Sequence, residues 1–297
     1  LYFLLKKYNC KVAFFARGAI PSIIYDKSHI YKKLLKIQLI PFYIIKFLKN
    51  KLSVLLKYLN YIKTIDFVYF AGDKSFQNLG LGYEIDLFKA KTFQINYFDY
   101  DKVLEIENSI NYFNEPYCVF HDEYLPYHPD FLISKKKTIL PDQYYNDLNS
   151  FFSKIENHFK VKVKIAAHPK AEKYKDYNPF NKREIFFGQT AQLCKFSEFS
   201  MLHVSTSVSF PVIYKKPILF LTSNQIINNM FSYNQWIRNF ANELGTESIN
   251  INDHSLKKII MDFNSNLYNE YIYNYITRTN NYKISSSQVF INSLTKE

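Results

Sequence analysis

The stretch VKVKIAAHPK, residues 161–170, carries a run of apolar residues that stops on a histidine, a proline and a lysine. Its valines, isoleucine and alanines predict a buried strand of a parallel sheet. Proline has no N–H to donate to a sheet, so the strand is expected to end at His168-Pro169. Ligands of parallel α/β sheets bind at the carboxyl ends of the strands, so the residues that follow this strand are candidate site residues.

Short strand-like segments alternate with helical segments on both sides of this stretch. Residues 141–159 carry apolar side chains every three or four positions, which predicts a helix that begins at Pro141. The alternation predicts an α/β fold with parallel, doubly wound sheets. We expect strands at residues 12–16, 66–72, 91–96, 117–123, 161–167, 184–188, 201–204 and 217–221. We expect further helices within residues 31–58, 100–113, 191–196, 207–214 and 255–276.

The length of 297 residues, 47% of them hydrophobic, exceeds the usual size of one hydrophobic core. The pattern of strands and helices divides into two series near residue 140. We therefore expect two Rossmann-like domains that face a central cleft, one of residues 1–140 and one of residues 141–297.

The net charge of +12 is concentrated in residues 1–63, which contain thirteen basic residues and one acidic residue. The remaining residues carry 25 basic and 25 acidic groups. Such a basic segment indicates an anionic surface as partner, either a membrane or a nucleic acid. Only four residues of the chain are arginine, the side chain that most often binds nucleic-acid phosphates, which disfavours the nucleic acid.

Part of the basic segment has the pattern of an amphipathic helix. Its polar positions are Lys46, Lys49, Asn50, Ser53 and Lys57, and its apolar positions are Leu48, Leu52, Leu55, Leu56 and Leu59. The pattern is typical of a helix that lies in the headgroup region of an anionic membrane, and also of a domain helix with a solvated lysine face. The longest uncharged apolar run, residues 37–45, is too short to cross a bilayer, which needs about 20 residues.

Polar residues follow three of the predicted strands in the second half of the chain. They are His168-Pro169-Lys170, Gly188-Gln189-Thr190 and Ser205-Thr206-Ser207. Hydroxyl groups and backbone amides at the start of a helix suit a phosphate group. The sequence contains no glycine-rich phosphate loop of the common kinds, which disfavours the P-loop and dinucleotide-binding folds.

The order of these motifs resembles that of the bacterial CMP-sugar-dependent glycosyltransferases of GT-B architecture. That group includes polysialyltransferases, lipooligosaccharide sialyltransferases and capsule Kdo transferases. The resemblance is strongest over residues 161–222, which also contain KPILFLT at residues 216–222. It extends more loosely to VFHDEYLPYHPDF at residues 119–131.

The resemblance implies roles for residues of this chain. His168, Pro169, Ser205, Thr206 and Ser207 are expected to hold the CMP phosphate, and the neighbouring Lys170, Gly188 and Thr190 complete our expected nucleotide site. The family uses an acidic residue of the N-terminal domain as catalytic base. Polysialyltransferases have two acids followed by glycine, whereas this chain has Asp122-Glu123-Tyr124. Asp122 is the first candidate and Glu123 the second. Alternation along a strand directs them to opposite sides, so only one of them is expected to face the cleft.

From the resemblance we expect an inverting, metal-independent glycosyltransferase without a cofactor. It would move a nonulosonic acid or Kdo from its CMP ester to a surface glycan or glycolipid acceptor. The N-terminal domain would bind the acceptor and the C-terminal domain the nucleotide sugar. We expect a cytoplasmic protein, peripheral on the inner face of a bacterial inner membrane through residues 31–63, that does not bind nucleic acid.

Other motifs leave alternatives open. Asp99-Tyr100-Asp101 has the form that binds a metal in glycosyltransferases that use UDP or GDP sugars, but aspartates are also common at the start of a helix. His128-Pro129-Asp130 is either a helix-capping loop or a border of the acceptor site. His121 either influences the adjacent Asp122 or merely alternates with it along the strand. The remaining alternative is a basic nucleic-acid-binding protein that is not an enzyme.

Overall fold

The computed structural model describes residues 1–16, 21, 40–76, 89–129, 139–253, 256, 259, 261–277 and 284–295. The strands are β1 (Ala13–Ala16), β2 (Phe67–Phe70), β3 (Lys91–Gln94), β4 (Tyr117–His121), β5 (Lys162–Ala167), β6 (Ile185–Phe187), β7 (Ser200–Leu202), β8 (Ile218–Thr222) and β9 (Ser248–Asn250). The helices are α1 (Tyr2–Lys7), α2 (Ile40–Tyr58), α3 (Phe98–Glu105), α4 (Pro141–Phe159), α5 (Thr190–Phe196), α6 (Ser209–Ile213), α7 (Asn224–Asn229), α8 (Phe231–Glu243), α9 (Ser265–Tyr271) and α10 (Ser286–Thr295).

The chain divides into two compact units. The first contains Leu1–Ile20, Ile24–Phe98 and Tyr273–Glu297, and the second contains Pro21–Ile23 and Asp99–Ile272. Both are built on parallel sheets with helices, so the chain is an α/β protein whose sheets are compatible with a Rossmann-like fold.

The first unit has a three-stranded parallel sheet of order β1-β2-β3. The central strand β2 is buried throughout, and the ring of Tyr69 stacks on Phe15 and Phe93 at centroid distances of 4.7 and 5.2 Å. Helix α10 returns to this sheet, where the hydroxyls of Ser293 and Tyr69 share a hydrogen bond of 2.6 Å. Aromatic packing and this long-range contact hold the last helix in the first unit.

Gly72, two residues after the end of β2, is held in a conformation that disfavours other residues. Its φ is +74°, and a Cβ atom at this position would lie 2.4 Å from the carbonyl oxygen of Asn274. We expect Gly72→Ala to lower the free energy of unfolding by about 2–4 kcal/mol, because strained φ and backbone overlap add. Gly188→Ala is the control, since Gly188 has a φ of +69° but open space around it. Urea unfolding followed by circular dichroism measures the free energy of unfolding of both variants. If the two variants lose the same amount of stability, backbone overlap at Gly72 does not contribute.

The second unit has a six-stranded parallel sheet of order β6-β5-β4-β7-β8-β9. The chain runs outward from β4 to β5 and β6, then returns to β7 on the other side of β4 and continues to β8 and β9. The direction of winding therefore reverses between β4 and β7. In open α/β sheets such a switch point leaves a crevice at the carboxyl ends of the two strands.

The core of the second unit forms where helices cover this sheet. All five residues of β4 are buried, and α4 turns one apolar side toward the interior. Phe120 of β4 packs against Phe152 of α4 at a centroid distance of 5.1 Å. The predicted helix at residues 141–159 is confirmed, as are the eight predicted strands to within two residues at each end.

Several elements differ from the sequence analysis. Strand β9 and helices α1, α7, α8 and α10 were not predicted. Helix α3 ends at Glu105, and the described part of residues 255–276 contains the short helix α9 followed by a π-helical turn, Ile272–Ile276. Residues 31–39 of the expected basic segment lie outside the described residues.

The division of the chain differs from the boundary expected at residue 140. Strand β4, which the sequence analysis assigned to the first domain, pairs with β5 on one side and β7 on the other. The six-stranded sheet therefore continues across residue 140, and residues 273–297 belong to the first unit. Strand pairing over long sequence distances sets the division, and a local pattern does not show it.

None of the helices in the described parts of the chain is long and apolar enough to cross a membrane.

Candidate functional site

The candidate site residues follow three neighbouring strands of the second unit. His168 follows β5, Asp122 and Glu123 follow β4, and Ser205 lies three residues after β7. The strands are parallel and adjacent in the order β5-β4-β7, so their carboxyl ends lie side by side at the same edge of the sheet. The structure therefore brings these loops to one edge, which includes the switch point between β4 and β7.

His168 is half-buried and is oriented by its own loop. The backbone N–H of Lys170 donates a hydrogen bond of 3.1 Å to Nδ1 of His168. Since Nδ1 accepts, the proton of the neutral ring lies on Nε2, which makes Nε2 a hydrogen-bond donor. The rings of His168 and His128 contact each other at a centroid distance of 5.2 Å, so the second His-Pro pair also borders this edge. Asp130 lies outside the described residues.

The hydroxyls after β7 form a small hydrogen-bonded cluster. Ser205 caps a 3-10 turn, Thr206–Val208, and its Oγ accepts from the N–H of Ser207 at 3.3 Å. The hydroxyls of Ser205 and Ser207 share a hydrogen bond of 2.9 Å, while Thr206 is exposed. Ser205 thus has the role of an N-cap, and the same contacts fix two hydroxyls at the sheet edge.

His121 connects this cluster to the core. Its Nδ1 shares a hydrogen bond of 2.8 Å with Oγ of Ser207, and its Nε2 lies 3.2 Å from both Oγ of Ser200 and Sγ of Cys194. Burial lowers the pKa of His121 to about 3, so the ring is neutral. A neutral, fully buried imidazole therefore orients the Ser207 hydroxyl, which is a role that the sequence analysis missed.

Asp122 is buried at the end of β4 and titrates near neutrality. Burial raises its pKa from the usual range to about 7, although the amides of Tyr124 and His168 and the hydroxyl of Tyr174 lower it. Among the described residues, neither carboxylate oxygen of Asp122 has a partner with full hydrogen-bond geometry. Asp122 therefore combines a raised pKa with oxygens that are not fully engaged.

Glu123 has both oxygens engaged. One accepts the backbone N–H of Val204 at 2.6 Å and the other accepts the hydroxyl of Tyr233 at 2.5 Å. Burial raises the pKa of Glu123 to about 8, and these two hydrogen bonds lower it. Glu123 thus connects the ends of β4 and β7 across the switch point, where it stabilises the edge of the sheet.

A cavity of about 460 Å³ lies on the α4 side of this edge. Its walls are mostly tyrosine and asparagine side chains, including Tyr124, Tyr127, Tyr145, Asn149 and Tyr174. The hydroxyls of Tyr145 and Tyr174 share a hydrogen bond of 2.8 Å, and Tyr174 also reaches Asp122. The Tyr174 side chain therefore lies between the cavity and the Asp122 carboxylate.

Gly188 and Thr190 lie at the outer part of the same edge. They follow β6, which is separated from β7 by β5 and β4. At about 4.8 Å between strands, they lie roughly 14 Å from the residues after β7. They adjoin the His168 loop but do not cluster with Ser205 and Ser207.

Asp99 of the Asp99-Tyr100-Asp101 motif lies in the first turn of α3. It accepts a hydrogen bond from the hydroxyl of Ser209 in α6, and burial raises its pKa to about 6. The contact supports the interpretation of this motif as a helix start whose aspartate connects two helices.

The position of the acids relative to His168 also differs from expectation. The resemblance implied an acid from the N-terminal domain that reaches across a cleft. In the structure, Asp122 and Glu123 follow the strand adjacent to β5, and His168 follows β5 in the same sheet. The candidate acid, imidazole and hydroxyls therefore all belong to the second unit.

Comparison of the chain with protein-family models, with curated proteins and with solved structures finds no match. The functional interpretation consequently depends on the residues and geometry of the chain.

Proposed function

We propose that the protein is an inverting, metal-independent glycosyltransferase that uses a CMP-activated nonulosonic acid or Kdo. The acceptor is a bacterial surface glycan or a glycolipid, and the two α/β units correspond to the two domains of a GT-B enzyme. One observation carries the proposal: an imidazole, a carboxylate and a cluster of hydroxyls follow three adjacent parallel strands at a topological switch point. That position is where open α/β sheets bind nucleotides.

The residues after β5 and β7 suit the departing CMP. When the bond between the anomeric carbon and the phosphate oxygen breaks, its electron pair moves to that oxygen and negative charge develops there. Preoriented hydrogen-bond donors stabilise such charge. We assign this role to Nε2–H of His168, to the hydroxyls of Ser205, Thr206 and Ser207, and to the exposed Lys170.

Asp122 suits the role of the base. The acceptor hydroxyl forms a bond to the anomeric carbon and loses its proton as it attacks. A carboxylate with a pKa of about 7 accepts this proton efficiently near neutral pH. Direct attack on the face opposite to CMP inverts the anomeric configuration, and no covalent sugar-enzyme intermediate is needed.

The tyrosine-lined cavity supplies a binding region of suitable chemistry near this base, with Tyr174 between the two. Aromatic faces and amide side chains are the common lining of carbohydrate sites, because sugar C–H groups pack on rings and hydroxyls bond to amides. We assign the cavity beside Tyr174 to a sugar residue of the donor or acceptor.

Thermal denaturation with nucleotides tests the proposal. At a concentration 100-fold above its Kd, CMP is expected to stabilise the folded chain by about 2.7 kcal/mol. The midpoint then rises by roughly 5 °C or more, whereas UDP and GDP leave it unchanged. A response to UDP or GDP that requires Mn²⁺ would favour the metal-dependent alternative with Asp99-Tyr100-Asp101 and overturn our assignment.

Catalysis is tested by incubating the protein with CMP-Neu5Ac, CMP-Kdo and CMP-pseudaminic acid and measuring free CMP. Release from one of them above the uncatalysed rate supports the proposal and identifies the sugar. Absence of release from all three, together with no response to CMP in the melting experiment, would overturn it.

A further inference from the structure

Helix α2 turns an apolar face toward solvent. Leu48, Leu52 and Leu55 are exposed by 59%, 55% and 51%, and Ile44 and Leu59 by 52% and 51%. At 100° per residue, these five side chains lie within an arc of roughly 80° around the helix axis. They therefore form a continuous apolar face, which we call the leucine face.

The opposite side of α2 is polar and is more buried than the leucine face. Lys57 is only 4% exposed, and its Nζ lies 5.4 Å from the centroid of the Tyr2 ring. Asn50 and Ser53, on the same side as Lys57, are half-buried. A helix of a soluble domain ordinarily buries its apolar side, so the orientation of α2 is reversed. The exposed leucines disfavour the alternative of a domain helix with a solvated lysine face and a buried leucine face.

Helix α1 adds a second apolar patch beside the end of α2. The backbone N–H of Lys63 donates to the carbonyl of Tyr2 at 3.1 Å, and the Lys57–Tyr2 contact joins the two helices directly. Exposed apolar and aromatic side chains also lie in α1 and near the end of α2: Leu1 (85%), Phe3 (64%), Leu4 (52%), Tyr8 (69%), Tyr58 (71%) and Tyr61 (63%). Exposed apolar surface of this extent is characteristic of an interaction site.

The charge around this surface identifies its occupant. Lys7, Lys49 and Lys51 are exposed beside it, and residues 1–63 hold thirteen basic residues against one acidic residue. A second copy of the chain would bring the same positive charge to the interface and be repelled. An anionic bilayer attracts the lysines, accepts the apolar side chains below its headgroups and accommodates tyrosines at headgroup level.

We propose that the leucine face of α2, together with the exposed apolar side chains of α1 near its end, docks on a bilayer containing anionic lipids. Leucine, isoleucine and phenylalanine side chains enter the boundary between headgroups and acyl chains, and Lys7, Lys49 and Lys51 contact lipid phosphates. The proposal does not depend on the assigned chemistry, but it would place the enzyme beside a membrane-bound acceptor.

Co-sedimentation of the full chain with vesicles tests the docking surface. We expect at least tenfold tighter binding to vesicles of 70% phosphatidylcholine and 30% phosphatidylglycerol than to phosphatidylcholine alone. Leu48→Ser/Leu52→Ser/Leu55→Ser is expected to weaken binding to the mixed vesicles at least tenfold, because the apolar contacts are lost. Lys7→Gln/Lys49→Gln/Lys51→Gln is expected to remove the preference for the anionic lipid.

The matched control replaces three exposed apolar residues of the second unit, Ile110→Ser/Tyr112→Ser/Phe231→Ser, which are exposed by 63%, 69% and 57%. This variant is expected to bind vesicles as the parent does. Equal binding by the leucine variant, or equal loss in the control, overturns the proposal. The proposal is also overturned if the parent chain is a dimer in sedimentation velocity and the leucine variant is a monomer. In that case the leucine face joins two copies of the chain. Since the lysine variant changes only solvated side chains, it remains a test even if the leucine variant misfolds.

Discussion

The Asp122→Asn variant is expected to bind CMP as tightly as the parent and to transfer sugar roughly 10²- to 10⁴-fold more slowly. Asparagine has the shape of aspartate but does not accept a proton, so only the step that deprotonates the acceptor is lost. Asp122 lies at the end of β4, whereas the proposed phosphate ligands follow β5 and β7, so CMP affinity measured by calorimetry should be retained. Turnover is measured as CMP released per enzyme in the presence of acceptor.

The pH dependence gives an independent measurement of the same role. The pKa of Asp122 is raised to about 7, so the carboxylate is protonated at lower pH and then does not serve as a base. The parent rate is therefore expected to fall tenfold for each pH unit below about 7 and to level off above it. Asp122→Asn is expected to lose this dependence.

Glu123→Gln is the matched control for Asp122→Asn. Glu123 accepts hydrogen bonds from Val204 and Tyr233, so its replacement is expected to lower the melting temperature while leaving the pH profile of transfer intact. A fully active Asp122→Asn together with an inactive but folded Glu123→Gln would show that the base is Glu123.

Strands β1 to β8 could be predicted, most of them because they are short apolar runs followed by a polar, proline or glycine residue. Strand β9 lacks this signal, since Ser248 and Asn250 are polar and all three of its residues are half-buried at the edge of the sheet. The boundary between the units could not be predicted. It depends on the pairing of β4 with β5 and β7 and on the return of α10 to Tyr69, contacts that join residues far apart in sequence.

Of the candidate site, only the residues at or directly after the ends of predicted strands could be predicted from the sequence. A parallel sheet brings the residues after β4, β5 and β7 together, so Asp122, His168 and Ser205 were recognisable from the sequence. Three further side chains were not recognisable, namely Tyr174 beside Asp122, Tyr233 beside Glu123 and Cys194 beside His121. Each lies 50 or more residues along the chain from the residue that it contacts. The sequence contains no local signal for these partners.

His168→Ala is expected to weaken CMP binding by roughly 10- to 100-fold and to reduce transfer further. A hydrogen bond to a charged group contributes about 1.5–3 kcal/mol, and the bond from Nε2–H strengthens as charge develops on the phosphate. The Nδ1 contact with the Lys170 amide fixes the tautomer that makes Nε2 the donor. Calorimetry with CMP and turnover with the CMP-sugar give the two effects separately.

His128→Ala is the matched control for His168→Ala, because the two rings contact each other at 5.2 Å but His128 follows no strand of the sheet. It removes the same ring contact without removing the proposed phosphate donor, so CMP affinity is expected to change less than threefold. His168→Gln, which keeps an N–H donor, should recover part of the lost affinity. If His168→Ala and His128→Ala lose affinity equally and His168→Gln recovers none, the histidine acts through packing, and the proposed contact with the departing phosphate is wrong.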